Sequence, residues 1–186
     1  NVAEPAEMKR FYREAAAVEG PGGWHVALDG RQVKTQGGRD LVLPGRELAE
    51  LLASEWAGQG EEIDPRSFRL RDLADYALDV VAEDPAAAIT ALLRYAETDT
   101  LCYRADPDEP LWKRQQAEWE PLVAVCEARE NIRLQRVSGV MHRPQDEAAL
   151  TKLNTRLAAL DFFTLAALIT LASLSASLVI GLAALE

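Results

Sequence analysis

The sequence predicts an α+β protein: a small N-terminal antiparallel β unit with one covering helix, followed by an all-helical C-terminal domain. Three observations carry that reading. Residues 1–70 are cut by Gly-Gly and Asp-Gly steps into short runs with β-branched or aromatic residues, a hairpin pattern. From Leu70 onward apolar residues recur at helical spacing. Phe162–Leu185 then runs for 24 residues without a charge.

In chain order, Gly20-Pro21-Gly22-Gly23 separates Tyr12–Val18 from Trp24–Leu28, Asp29-Gly30 precedes Arg31–Thr35, and Gly37-Gly38 leads into Asp40–Leu43. These four runs are expected to be short antiparallel strands, the last ended by Pro44. Leu48, Leu51, Leu52 and Trp56 fall at i, i+3, i+4 and i+8, one face of a helix laid across the meander. Leu70, Leu73, Ala74, Ala77, Leu78 and Val81 form the next apolar stripe, and the domain boundary is expected there, between residues 1–70 and 71–186. Asp84-Pro85 opens a further helix, Asp as N-cap and Pro at the first helical position. Asp106–Pro110 reads as a loop. Trp112, Gln115, Trp119, Leu122 and Cys126 share a helix face that Pro121 should kink or split. Arg133–Val140 reads as a short extended piece, and Pro144-Gln145-Asp146 opens a helix aligning Leu150, Leu153, Leu157 and Leu160. Phe162–Leu185 is long enough to cross a bilayer. However, Asp161 and Glu186 bound it, with no aromatic belt pair and no cluster of Lys or Arg. We read it as the buried central helix, since a helix at the centre of a helical domain is apolar all round.

Composition narrows the function. Thirty acidic residues against 20 basic ones give a net charge of −10, and only 4 of the 20 are Lys. This argues against nucleic-acid binding, which draws its affinity from cations on phosphates. Cys102 and Cys126 lie 24 residues apart with no C-x-x-C, so neither a disulfide framework nor a zinc site is indicated. His25 and His142 have no ligand-like neighbours. No leader or transit-peptide pattern is seen near residue 1. No phosphate-cradling G-x-x-x-x-G-K-[ST], no dinucleotide G-x-G-x-x-G and no G-x-S-x-G occurs. No cofactor and no metal are therefore expected. Glu61, Glu62 and Asp64 form the tightest acidic group, and Glu97 and Asp99 lie just past a helix end. Carboxylates of this kind can serve as acid and base, but a solvated loop and backbone capping explain them as well. Cys102, between Leu101 and Tyr103, reads as a small buried residue.

Arg94-Tyr95-Ala96-Glu97-Thr98-Asp99-Thr100-Leu101-Cys102-Tyr103-Arg104 resembles the central motif of the ATP synthase assembly chaperones that handle the α subunit of the catalytic head. Around it, Glu55-Trp56 with Gln59 and Ile63 resembles that family's E-W-x-x-Q element. Leu70, Leu73, Ala77 and Asp79 match the spacing of its next helix, and Gln115, Trp119 and Pro121 resemble its Q-x-x-x-W-x-P element. The Gly139-Val140-Met141 step and the apolar Leu171–Leu182 helix also fit. The resemblance runs from about Lys9 to the end and marks Trp56, Gln59, Glu62, Asp79, Arg94, Tyr95, Asp99, Cys102, Tyr103, Arg104, Gln115 and Trp119 as partner-binding or scaffold candidates. Two departures stand out: the family carries a further acidic, helical stretch beyond the position of Glu186, and Ser175-Ala176-Ser177 replaces a segment with a central Gly.

The resemblance implies a non-enzymatic, monomeric chaperone. It would bind the unassembled α subunit and shield the surface later covered by the β subunit, without nucleic acid or membrane insertion. It would work in a bacterial cytoplasm, or in the mitochondrial matrix once a presequence is removed. Two other classes are set against it: a carboxylate-dependent hydrolase using Glu61, Glu62, Asp64 or Asp99, and an interaction protein anchored in a membrane by Phe162–Leu185. The Arg94–Arg104 segment is expected to join two helices and pack against Trp119, with Asp99 and Arg104 hydrogen-bonded inside the protein.

Overall fold

The computed structural model describes residues 8–139 and 141–185. Packing separates two compact units, one running to Glu83 and the other from Asp84 onward. The first begins with β1 (Met8–Lys9), β2 (Ala15–Gly20), β3 (Gly23–Leu28) and β4 (Arg31–Gln32). Strands β2, β3 and β4 form an antiparallel sheet in that order. The β3–β4 turn places Asp29 at φ 47 and Gly30 at φ 81, the left-handed pair that a two-residue hairpin needs to match strand twist. Strand β2 starts at Ala15 rather than Tyr12, because the Asp29 carboxylate takes the backbone N–H groups of Arg13 and Glu14.

Asp40–Leu43 is not a fourth strand. It touches the sheet through isolated bridges, Trp24 to Leu43 and Lys34 to Asp40. A separate antiparallel pair joins β1 to β5 (Glu62–Ile63), too short for periodicity to reveal. Helix α1 (Arg46–Ala57) packs on β2 and β3. It buries Ala49, Leu52, Ala53 and Trp56, while Leu51 is exposed, so the inward face is rotated from the predicted one and two alanines complete it. Below it lie a 3-10 turn (Pro65–Ser67), α2 (Arg69–Tyr76) and a π turn (Ala77–Val81). Fully buried Val26, Leu41, Leu43, Leu52 and Phe68 make the core, each side chain contributing about 1.5–3 kcal/mol by leaving water.

Helix α2, which the sequence reading gave to the helical half, packs in the first unit. Its first-turn N–H groups at Leu70 and Arg71 are capped by the Glu55 carboxylate of α1, at 2.7 and 2.9 Å. Those bonds supply acceptors that no residue before the helix provides.

The second unit is α3 (Pro85–Glu97), a 3-10 turn (Thr100–Cys102), β6 (Tyr103–Arg104), α4 (Pro110–Glu118), α5 (Glu120–Glu130), β7 (Val137–Ser138), α6 (Glu147–Ala158), α7 (Phe162–Ser175) and α8 (Leu178–Ala183). Asp84 caps α3 by accepting from the Ala87 N–H, and Asp146 caps α6 from Ala148. Pro121 separates α4 from α5 at Trp119. Strands β6 and β7 pair in parallel. Val140, in the Gly139-Val140-Met141 step, and Glu186 lie outside the described residues.

Phe162–Leu185 is not one helix. Ala176 adopts φ 51 and ends α7, and the Ser177 hydroxyl caps α8 by accepting from the Ile180 N–H. Leu165, Leu168, Leu178 and Leu182 are buried, with α7 packed on α3 and α8, yet Leu174 is 81% exposed. The stretch therefore forms the middle of the unit along one side only. Among the described residues no helix is long and apolar enough to cross a membrane.

Candidate functional site

The motif Arg94–Arg104 spans the end of α3, the 3-10 turn and β6. Asp99 is fully buried. One carboxylate oxygen accepts from the Leu101 N–H (3.0 Å) and the Ser177 hydroxyl (2.7 Å), the other from the Val179 N–H (2.9 Å). The last two come from the start of α8, where a carboxylate also meets the positive end of the peptide dipoles. Burial still pushes the Asp99 carboxyl above its ordinary range against those bonds. Cys102 is fully buried, and burial, assisted by the nearby Asp99 charge, lifts its thiol to about 12. A thiol so protonated is no nucleophile at neutral pH.

Arg104 points the other way. Its guanidinium donates to the Leu101 carbonyl (2.7 Å), to Gln116 Oε1 (2.6 Å) and to Glu120 Oε2 (3.0 Å). It also stands 5.9 Å from the centre of the Trp119 ring. Asp99 and Arg104 are thus both hydrogen-bonded internally, as expected, and Arg104 lies beside Trp119. Gln115, also buried, accepts from the Ala105 N–H at 2.8 Å. The Q-x-x-x-W-x-P element therefore fastens the chain at Ala105, where it leaves β6 and the motif. Tyr103 shares a 2.8 Å hydrogen bond with His142 Nδ1, whereas Arg94 is exposed and its carbonyl accepts from the Thr98 hydroxyl. Tyr95 is half-buried.

Behind Arg104 lies a charge network that the sequence reading did not identify. Arg136, next to β7, donates to Glu120 at 2.5 Å and to both oxygens of Glu127. Glu127 also accepts from the Leu134 N–H at 2.7 Å. Burial alone would raise the Glu127 carboxyl, but the Arg136 guanidinium and the Leu134 N–H outweigh it and hold it below its ordinary value. The available signal was the seven-residue spacing of Glu120 and Glu127, two turns on one face of α5. Helix α5 therefore buries Glu127 together with Val123 and Cys126, while Leu122 and Val125 are 40% and 50% exposed.

The first-unit candidates form two groups. Trp56, 8% exposed, lies 4.5 Å from Phe68 and 5.7 Å from Tyr12 between ring centres, and its carbonyl accepts from the Tyr12 hydroxyl at 2.7 Å. Gln59 bridges Ser67 Oγ (2.7 Å) and the Asp64 N–H (2.9 Å), locking the turn after α1. Asp79, on the π turn, accepts from Thr35 Oγ1 (2.7 Å) and the Gly37 N–H (2.8 Å) and so pins the loop before Asp40. Glu62 is exposed in β5.

These placements bear on the hydrolase alternative. Glu61 and Glu62 line a cavity of about 510 Å³ with Lys9, Arg10 and Tyr12. The Asp64 carboxylate instead accepts from the Arg66 N–H and caps the 3-10 turn. Among the described residues no group of His, Cys, Asp and Glu is placed to hold a metal ion.

Comparison with known proteins gives a consistent result. Residues 9–127 match the family described as ATP12 chaperone protein. The crystal structure of Atp12 from Paracoccus denitrificans is 38% identical, with a TM-score of 0.90 over 95% of this chain and 76% of that one. A point mutant of the same Paracoccus protein matches equally, over 75% of its length. The mitochondrial protein atp12 of Schizosaccharomyces pombe is 24% identical over 172 residues, 86% of this chain. The chain spans 59% of the length of that relative.

Proposed function

The chain belongs to the ATP12 chaperone family, and from that premise we propose that it is an ATP synthase assembly chaperone. In this reading it binds the unassembled α subunit and shields its subunit interface until the β subunit takes the same surface. The observation that carries it is the family match over residues 9–127, which takes in the Arg94–Arg104 motif. Helix α5 supports it: Leu122 and Val125 face outward and present apolar surface of the kind that marks interaction sites. An orphan subunit exposes an interface-sized apolar patch that self-associates unless occupied, and competition by the β subunit releases it without turnover by the chaperone. The chain is then a monomeric binding protein rather than an enzyme. It acts in a bacterial cytoplasm or a mitochondrial matrix, the two settings suggested by the Paracoccus and fission-yeast relatives. The Arg94–Arg104 candidates then act chiefly as scaffold, and the exposed apolar side chains meet the client.

Light scattering of isolated α subunit tests the reading. An equimolar amount of this chain should suppress aggregation, and added β subunit should displace it. Aggregation that proceeds unchanged overturns the proposal.

A further inference from the structure

A cavity of about 500 Å³ in the first unit lies along the edge of β4. One wall is the aromatic step of Phe11, Tyr12 and Trp56, the other the successive residues Arg31 to Lys34. Four properties give it the character of a peptide groove. First, β4 is an outer strand of its sheet. The Val33 N–H bonds to the Val26 carbonyl and Leu28 pairs with Arg31 across the turn, so in the alternating ladder the N–H and C=O of Gln32 face away from β3. Such unpaired edge groups accept an added strand. Second, Phe11 is 68% exposed yet packs edge-on against Tyr12 at 5.3 Å, giving an apolar surface open to solvent. Third, the indole N–H of Trp56 is buried without an acceptor among the described residues, and a buried unpaired donor gains when one is supplied.

The fourth property is charge. In a chain of net charge −10, the groove carries two cations. Arg31 is exposed and makes no ion pair among the described residues, and Lys34 has only a solvent-exposed contact with Asp40 at 3.6 Å. The acid beside them, Asp29, is engaged by the N–H groups of Arg13 and Glu14, which hold its carboxyl below the ordinary range.

We propose that this groove takes an extended segment of the client polypeptide. The segment pairs with the β4 edge, sets a large apolar side chain against Phe11 and Tyr12, and directs a carboxylate to Arg31 and Lys34. The inference rests on the client-binding reading above and names the surface and the segment chemistry for it.

Binding of a labelled short peptide alternating Leu and Asp, of its Leu and Lys counterpart, and of isolated ATP synthase α subunit is to be measured by fluorescence anisotropy. Wild-type chain is compared with Phe11→Ala and with the double variant Arg31→Glu, Lys34→Glu, all at exposed positions where an unchanged melting temperature confirms the fold. The Leu and Asp peptide should bind and the Leu and Lys peptide should not. Each variant should weaken both that peptide and the α subunit by about tenfold or more. If the variants hold the α subunit as tightly as wild type, the groove is overturned and the client reading stands. If the peptide binds through the groove while the α subunit is ignored, the groove stands and the α subunit is not the client. Binding of neither overturns both.

Discussion

Ser177 donates its hydroxyl to Asp99 across 2.7 Å and 78 residues of sequence, tying the start of α8 to the turn after α3. The Val179 N–H completes the hold at 2.9 Å. Asp99→Ala leaves both donors, and the Leu101 N–H, without an acceptor in a dry interior. The expected loss is about 1–3 kcal/mol of stability, read from urea unfolding. A midpoint equal to wild type would refute the scaffold role of the motif.

The Glu127–Arg136 contact contributes to the acid limb of stability. The Glu127 carboxyl lies below its ordinary 4.5 in the folded chain, against burial, because Arg136 and the Leu134 N–H favour the charged form. The unfolded chain therefore takes up the proton first on acidification. The contribution is fully present above about 4.5 and disappears as pH falls through the lowered folded value. Glu127→Gln should be less stable than wild type at neutral pH and should show a flatter decline below 4.5 in a pH series of thermal melts. Parallel acid limbs would count against the assignment.

Trp56 separates packing from hydrogen bonding. Trp56→Ala empties a nearly closed aromatic site and should cost about 3–5 kcal/mol. Trp56→Phe keeps a ring against Phe68 and removes an indole N–H that has no acceptor, so it should cost less than half as much. Chemical unfolding of both variants decides the point, and equal losses would show that the N–H is satisfied in solution.

Gly37 is set by contact rather than by backbone angle. A Cβ there would lie 2.7 Å from the Asp79 carboxylate that accepts the Gly37 N–H. Gly37→Ala should push the loop off the π turn and cost about 1–3 kcal/mol. Gly37→Ala combined with Asp79→Ala should lose less than the two single changes added together. Additive losses would refute the coupling.

Both thiols should be inert in the folded chain. Burial lifts Cys102 and Cys126 to about 12, so alkylation by iodoacetamide at neutral pH should follow unfolding, with mass spectrometry showing both sites unmodified in native buffer and modified in denaturant. Rapid native labelling of either one would contradict the packing.

Elements whose residues carry their own local chemistry were legible in the sequence. Asp29-Gly30 specifies its hairpin, Asp84-Pro85 its helix start, and Pro121 the split between α4 and α5, because turn, cap and ring geometry act within a few residues. The motif was visible through resemblance, and Asp99 and Arg104 behave as that reading expects. What escaped depends on partners distant in sequence. The β1–β5 pair is two residues long on each side, and Glu55 reaches across to cap α2, which moves that helix into the first unit. Phe162–Leu185 looked continuous because nothing local announces that Ala176 turns left-handed. The reason lies in Asp99, which draws Ser177 out of helical register. Arg136 was passed over because a lone arginine in an extended stretch has no pattern until α5 brings Glu120 and Glu127 to it.

The same hydrogen bond has a consequence for synthesis. Asp99 leaves the ribosome 78 residues ahead of Ser177, so until Ser177 is made the turn after α3 lacks the group that completes it. Nascent or prematurely terminated chains that stop short of Ser177 expose α3 without α7 and α8, and with them the apolar side chains that those helices cover. Fragments with such exposed apolar surface are open to aggregation and proteolysis, and the motif closes only in a chain translated through α7 to Ser177.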